Sequence, residues 1–157
     1  MKALEVRIRK VHRDDIDRIV DIERSWRHLS HWSIDSYHRL INEDAFTSCF
    51  VAEIEFGEGG PIIAGFVIFH VVASVSEVYN IAVETGYARS GIGKQLMSAT
   101  IEESRRRNAS KVVLEVRKSN GPAIGFYVNF GFRIVGERNN YYSNPIEDAY
   151  VMERETD

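Results

Sequence analysis

The sequence predicts a mixed α/β domain with its elements in the order β-α-α-β-β-β-α-β-α-β-β. Three observations carry that prediction. Two β-rich apolar runs flank Gly57-Glu58-Gly59-Gly60-Pro61, a strong hairpin signal. A third such run breaks into a turn of small residues, and that turn opens a long amphipathic helix. A further strand and helix then follow one another at 111–117 and 122–130.

Taken in order, residues 5–11 read as an edge strand, and His12 to Asp15 lead into a helix whose Ile16, Ile19, Val20 and Ile22 face a core. The linker SWRHLSHW carries two tryptophans and two histidines without periodicity. It reads either as a substrate-facing loop or as packing over the core. Residues 33–42 form a second helix, capped by Ser33, with Tyr37, Leu40 and Ile41 inward. Strands at 49–56 and 62–72 follow, and 75–83 makes a third. The helix at 91–108 sets Ile92, Leu96, Met97, Thr100 and Ile101 on one stripe. Its last turn holds Arg105, Arg106 and Arg107, where cations suit the negative end of the helix dipole, and Asn108 is the stop. In the strand 111–117, Val112, Leu114 and Val116 share one face, and Val113, Glu115 and Arg117 the other. Ser119, Asn120 and Pro122 start the last helix and Gly131 ends it. Strands at 132–137 and 149–153 close the chain, with RNNYYSNP between them read as a loop.

The chain of 157 residues is the size of one domain, 1–157, and its 44% hydrophobic and 27% charged residues are ordinary for a globular protein. No stretch approaches the roughly 20 apolar residues of a membrane span, and the N-terminus alternates charged and apolar residues unlike a signal peptide. A lone cysteine, Cys49, permits no internal disulfide and no multi-cysteine zinc site, which agrees with a reducing cytoplasm. The net charge of -3 argues against nonspecific nucleic-acid binding. The expectation is a cytoplasmic domain with no membrane or direct nucleic-acid partner, and monomer and homodimer both remain open.

The turn in NIAVETGYARSGIGK, residues 80–94, reads as an anion cradle. Ala88, Ser90, Gly91 and Gly93 let a ligand approach the backbone, the free amides of the first helical turn face it, and Arg89 and Lys94 add positive charge. A P-loop would need a serine or threonine after Gly93-Lys94, where Gln95 stands, and a glycine where Ala88 stands. A dinucleotide fingerprint would need a glycine in place of Leu96. Downstream, Glu115 stands mid-strand, where carboxylates are unusual. It is either a solvated outer-face residue paired weakly with Arg117 or, on a covered central strand, a partnered or cavity-lining acid. Tyr127 shares a helix face with Ala123 and Phe130 and by itself reads as core packing.

Ala88-Arg89-Ser90-Gly91-Ile92-Gly93 resembles the acetyl-CoA-binding motif of the GNAT acetyltransferases, Gln/Arg-x-x-Gly-x-Gly/Ala. Both glycines match, and the first position departs from the pattern, so that side chain's role does not carry over. LEVRKSNGPAIGFYVNFGF resembles the second half of the same family's core. RNNYYSNPIEDAYVME and HWSIDSY resemble its RimI-type protein N-terminal acetyltransferases, so the likeness spans nearly the whole chain. The resemblance implies the GNAT fold, with a mixed central sheet whose parallel strands 75–83 and 111–117 splay to admit the cosubstrate, acetyl-CoA. It implies Glu115 as general base and Tyr127 as the acid that protonates the departing thiolate. Contacts to the cosubstrate would come from Ile81, Ala82, Val83, Ala88, Arg89, Ser90, Gly91, Ile92, Gly93, Lys94, Asn120 and Tyr127, with an amide near Ala82 or Val83 as oxyanion donor. Trp32, Tyr141 and Tyr142 would line the acceptor site.

The activity this implies is transfer to the α-amino group of a protein or peptide N-terminus by direct attack. Two alternatives stand beside it: an Nε-lysine or small-amine acetyltransferase, and a non-catalytic acyl-CoA-binding subunit. Cys49 lies in an early strand without an assigned base, and the five histidines show no metal spacing, so neither a thiol nucleophile nor a metal is expected.

Overall fold

The computed structural model describes residues 5–26, 32–55 and 57–157. Seven strands form one mixed sheet in the order β1-β2-β3-β4-β5-β7-β6, where β1 is Val6–Lys10, β2 Thr47–Glu55, β3 Pro61–Val72, β4 Val75–Val83, β5 Lys111–Arg117, β6 Arg133–Tyr142 and β7 Glu147–Glu155. The helices are α1, Ile16–Arg24; α2, Ile34–Glu43; α3, Ile92–Arg106; and α4, Gly121–Asn129. Among the described residues no helix is long and apolar enough to cross a membrane.

Period-two alternation sorts the sheet's side chains into two cores. Ala52, Val67 and Phe69 face the α3 and α4 side with Leu96, Met97 and Tyr127. Val51, Phe66 and Ile68 face the α1 and α2 side with Ile16, Ile19, Ile22 and Tyr37. Each fully buried aliphatic side chain on α1 contributes about 1.5–3 kcal/mol. On the other face α3 rests directly on β3. A Cβ at Gly65 would meet Ala82 O at 3.0 Å, Ile92 Cγ2 at 3.1 Å and Leu96 Cδ1 at 3.2 Å.

β4 and β5 are the parallel pair, and they touch for only three residue pairs, Val75 with Lys111, Ser76 with Val112 and Glu77 with Val113. β4 then carries a register shift opposite Ile68 and Phe69 that leaves Tyr79 without a partner on β3, and the two strands part. This is the expected splay, and it sets the site.

Most boundaries agree with the sequence reading to within two residues. Ser33 accepts from Ser36 N at 3.1 Å as the α2 cap, and Asn108 takes φ 65° just past α3. The exception is β6. Instead of ending at 137 it runs on to Tyr142, so Asn139 to Tyr142 are strand and only residues 143–146 are turn. Asn139-Asn140 carries turn chemistry, but here a bulge absorbs it. Register shifts between Arg138 and Tyr142, Asn140 takes φ 49°, and its amide donates to Asp148 Oδ1 at 2.8 Å. Of the SWRHLSHW linker, residues 27–31 lie outside the described residues.

Candidate active site

Where β4 and β5 part, a cavity of about 680 Å³ opens, floored by the two strands and closed at its ends by α3, α4 and the last residues of β6. Residues 78–83 of β4 and 114–117 of β5 line it. Glu84 N donates to Ala64 O on the β3 side, so alternation turns the amides of Val83 and Ile81 toward the gap and that of Ala82 toward β3.

At one end lies the predicted cradle. Gly91 is the N-cap of α3 in the left-handed region, φ 87°, and Arg89 before it takes φ 64°. The turn therefore folds back sharply and leaves the first amides of α3 open beside Arg89 and Lys94, with Ala88, Gly91 and Gly93 also on the cavity wall. Ser90 and Ile92 do not line the cavity: the Ser90 hydroxyl bonds Tyr87 O, and the Ile92 side chain is buried against β3. Ala88 itself lines the cavity beside Arg89, Gly91, Gly93 and Lys94.

At the middle, Asn120 caps α4, its Oδ1 accepting from Ala123 N at 3.3 Å, and Pro122 occupies the first turn. The α4 face then carries Ala123, Phe126 and Tyr127 into the cavity. Tyr127 is 8% exposed, edge-on to Phe126 and Phe132, and burial pushes its hydroxyl up to about 12. It keeps its proton at neutral pH and can serve as a donor.

Opposite, Glu115 enters the cavity from β5 with its side chain 9% exposed. Its partner is Arg138, whose Nε donates to Glu115 Oε1 at 3.1 Å, and not Arg117. Burial raises the Glu115 carboxyl above its ordinary range, the Glu77 charge adds to that, and the Arg138 bond and charge oppose both. Tyr141 and Tyr142 stand edge-on at 5.0 Å between ring centres on the same wall. Burial, before the neighbouring Tyr141 and Glu115 charges, raises the Tyr142 hydroxyl. Trp32 stands behind the wall, packed on Tyr37 and on Tyr79, and it is Tyr79 and Trp26 that reach the cavity.

The profile of the Acetyltransferase (GNAT) family matches residues 13–132. The chain belongs to the GNAT acetyltransferase family. Within the family it is 33% identical to an N-alpha-acetyltransferase of Sulfurisphaera tokodaii over a 167-position alignment that covers 96% of this chain and 93% of that one. Its structure is similar to that of the ribosomal-protein-S18-alanine N-acetyltransferase from Escherichia coli, with TM-score 0.81 and 30% identity over 97% of this chain and 94% of that one. It is similar also to Ard1 from Thermoplasma volcanium, with TM-score 0.80 and 28% identity over 96% and 97%.

Four residues of this GNAT site were not singled out from the sequence. Trp26 closes the cavity beside the cradle, its Nε1 donating to Val83 O at 2.8 Å. Arg117, 4% exposed, holds the β6–β7 turn through Pro145 O at 3.0 Å, Ser143 O at 3.3 Å and Glu147 at 3.3 Å, and stacks on Tyr142 at 4.3 Å. Asn80 lines the cavity at the bulge and donates to Glu23 Oε2 at 3.1 Å behind it. Glu23 itself is 0% exposed and also accepts from Trp32 N at 2.8 Å and from the Tyr37 hydroxyl. A signal for it was present: Ile16, Ile19, Val20 and Glu23 fall on one α1 stripe, so an acid occupies an apolar position.

Cys49 is buried, and burial raises its thiol well above the ordinary range, so it is not poised as a nucleophile. Among the described residues no group of three or more His, Cys, Asp or Glu converges to hold a metal.

Proposed function

We propose that this GNAT acetyltransferase acts in the cytoplasm and transfers the acetyl group of acetyl-CoA to the α-amino group of protein N-termini. One observation carries the reading: an acid raised by burial, Glu115, and a protonated phenol, Tyr127, line a single cavity that has an anion cradle at one end and an aromatic wall at the other. The similarity to an N-alpha-acetyltransferase and to a ribosomal-protein-S18-alanine N-acetyltransferase supports it.

The residues present fit acetyl-CoA. Positive Arg89 and Lys94 and the open α3 amides suit a pyrophosphate, and the parted strands offer unpaired backbone to an amide-bearing arm. When bound, acetyl-CoA supplies an activated acyl group whose C–S bond breaks as the new amide C–N bond forms. Glu115 takes a proton from the acceptor nitrogen and Tyr127 provides one to the departing sulfur; exchange with solvent restores both groups, and an acceptor that enters as the ammonium gives its further proton to solvent. The amide of Val83 turns to the gap, which supports it as the oxyanion donor in this reading. An α-amine has an ordinary pKa of about 7.7–8.0, against about 10.4 for lysine, so deprotonating lysine is roughly 3.5 kcal/mol harder. A modest base such as Glu115 therefore suits an N-terminal acceptor.

The test is mass spectrometry of acetyl transfer to a mixed peptide set, each peptide with a free or blocked N-terminus and one internal lysine. Label on free N-termini alone supports the proposal. Label on lysine in blocked peptides replaces it with the lysine reading, and no transfer despite acetyl-CoA binding points to another acceptor or to a binding role.

A further inference from the structure

Glu115 is a half-buried acid with a single hydrogen-bond partner among the described residues, and that partner comes from two strands away. β7 lies between them: Glu115 pairs with Val151, and Val151 pairs with Gly136 of β6. Arg138 reaches back across β7 to Glu115 Oε1 at 3.1 Å, with its guanidinium 6.0 Å from the centre of the Tyr141 ring. Strand alternation permits this, since glycine at 136 leaves the face open. Glu115, Val151 and Gly136 lie abreast on one face, and Arg138, two residues on from Gly136 and still in register with Ala149, shares that face.

The two partners are unequally placed, with Glu115 9% and Arg138 54% exposed. The acid lines the cavity, and the cation is the more solvent-exposed of the two. Only Oε1 of Glu115 is bonded to a described residue, so one oxygen is fixed and Oε2 is left without a bond in a residue that lines the cavity.

We propose that Arg138 is a positioning residue for the acyl-transfer base, anchoring one oxygen of Glu115 across β7 and leaving the other free for the acceptor amine or its water. The proposal rests on the reading of Glu115 as the base. The groups that face Glu115 are Glu77 from β4 and Arg138, Tyr141 and Tyr142 from β6. Arg138 is the one cation among them. It opposes both the burial and the Glu77 charge, and so keeps the base ionised toward lower pH.

The test compares wild type, Arg138→Gln and Arg138→Lys with the best peptide from the acceptor screen, recording kcat/KM across the pH range, and follows the Glu115 carboxyl by carbon-13 NMR titration. With Arg138→Gln the acidic limb of kcat/KM moves to higher pH. The loss there is about twofold to fivefold, the size suited to a half-exposed partner, and the alkaline plateau rejoins wild type. Arg138→Lys restores most of the limb, and Arg138→Gln adds nothing when Glu115 is already Gln. A uniform loss at every pH, or an unmoved limb, overturns the proposal. The titration needs no turnover, so it separates the two readings. If no peptide N-terminus is acetylated, the function fails by itself, while a Glu115 titration unchanged by Arg138→Gln removes the Arg138 role regardless.

Discussion

Glu23 offers the sharpest test of how the acceptor side is held together. Its carboxylate is 0% exposed, and burial, opposed by the Trp32 amide, Arg24 and Asn80, raises its pKa from 4.5 to about 7. That difference corresponds to about 3 kcal/mol. The sign follows from proton binding: between 4.5 and about 7 the folded state holds the proton and the unfolded state releases it, so stability falls as pH rises through that window. Above it the buried charge is a standing cost.

Glu23→Gln removes the titration but keeps one acceptor oxygen. Its amide then faces a donor, either the Trp32 N–H or the Tyr37 and Asn80 pair, at a cost of about 1–3 kcal/mol. The two stability curves should therefore cross. Wild type is the more stable near about pH 5, and the difference shrinks or reverses near about pH 8. Urea denaturation of both proteins at fixed ionic strength measures this, and taking their difference cancels the other carboxylates. Asp15 and Glu147, both held below their ordinary range, act on the acid side in both proteins alike. A difference that is flat with pH would refute the reasoning, because Glu23 would then have the same proton affinity folded and unfolded.

Glu115→Gln and Tyr127→Phe should each bind acetyl-CoA normally, as calorimetry would show, and lose about 10²- to 10⁴-fold in kcat. Unchanged turnover in both would remove the acid and base roles. Gly91→Val places a β-branched residue at φ 87° where α3 begins, so the loss should appear as weaker acetyl-CoA binding and a lower Tm by differential scanning calorimetry. A variant that binds and melts like wild type would mean the cradle does not depend on that conformation.

What the sequence disclosed, and what it hid, divides along a physical line. Where local chemistry decides structure, reading succeeded. β4 and β5 fall on their expected residues, Ser33 and Asn120 cap their helices, and the small residues at 88–93 form an open turn before α3. Glu115 and Tyr127 reach one cavity because strand alternation and helix periodicity fix their directions once the sheet is assembled. Where a residue's role depends on a partner far along the chain, reading failed. Glu115 appeared alongside Arg117, its strand neighbour, yet Arg117 goes to the β6–β7 turn and Arg138 takes its place, 23 residues on. Trp32 looked like the acceptor wall, while Trp26 is the tryptophan that lines the cavity, because its indole finds the Val83 carbonyl freed by the splay.

The splay itself explains why buried charges cluster here. A sheet normally holds neighbouring strands by a ladder of backbone hydrogen bonds, and opening a cavity between β4 and β5 removes that ladder after Glu77 and Val113. The strands on either side of the gap must then be fixed from behind. On the β4 side Glu23 does this, binding Asn80 at the bulge together with Tyr37 of α2 and the Trp32 amide. On the β5 side Arg117 does it, binding two carbonyls and Glu147 of the β6–β7 turn beneath Tyr142. Apolar packing is non-directional and would leave each wall free to drift toward the other and close the gap. Directional, charge-assisted hydrogen bonds resist that drift, so the same opening that admits a cosubstrate calls for a buried acid on one wall and a buried cation on the other.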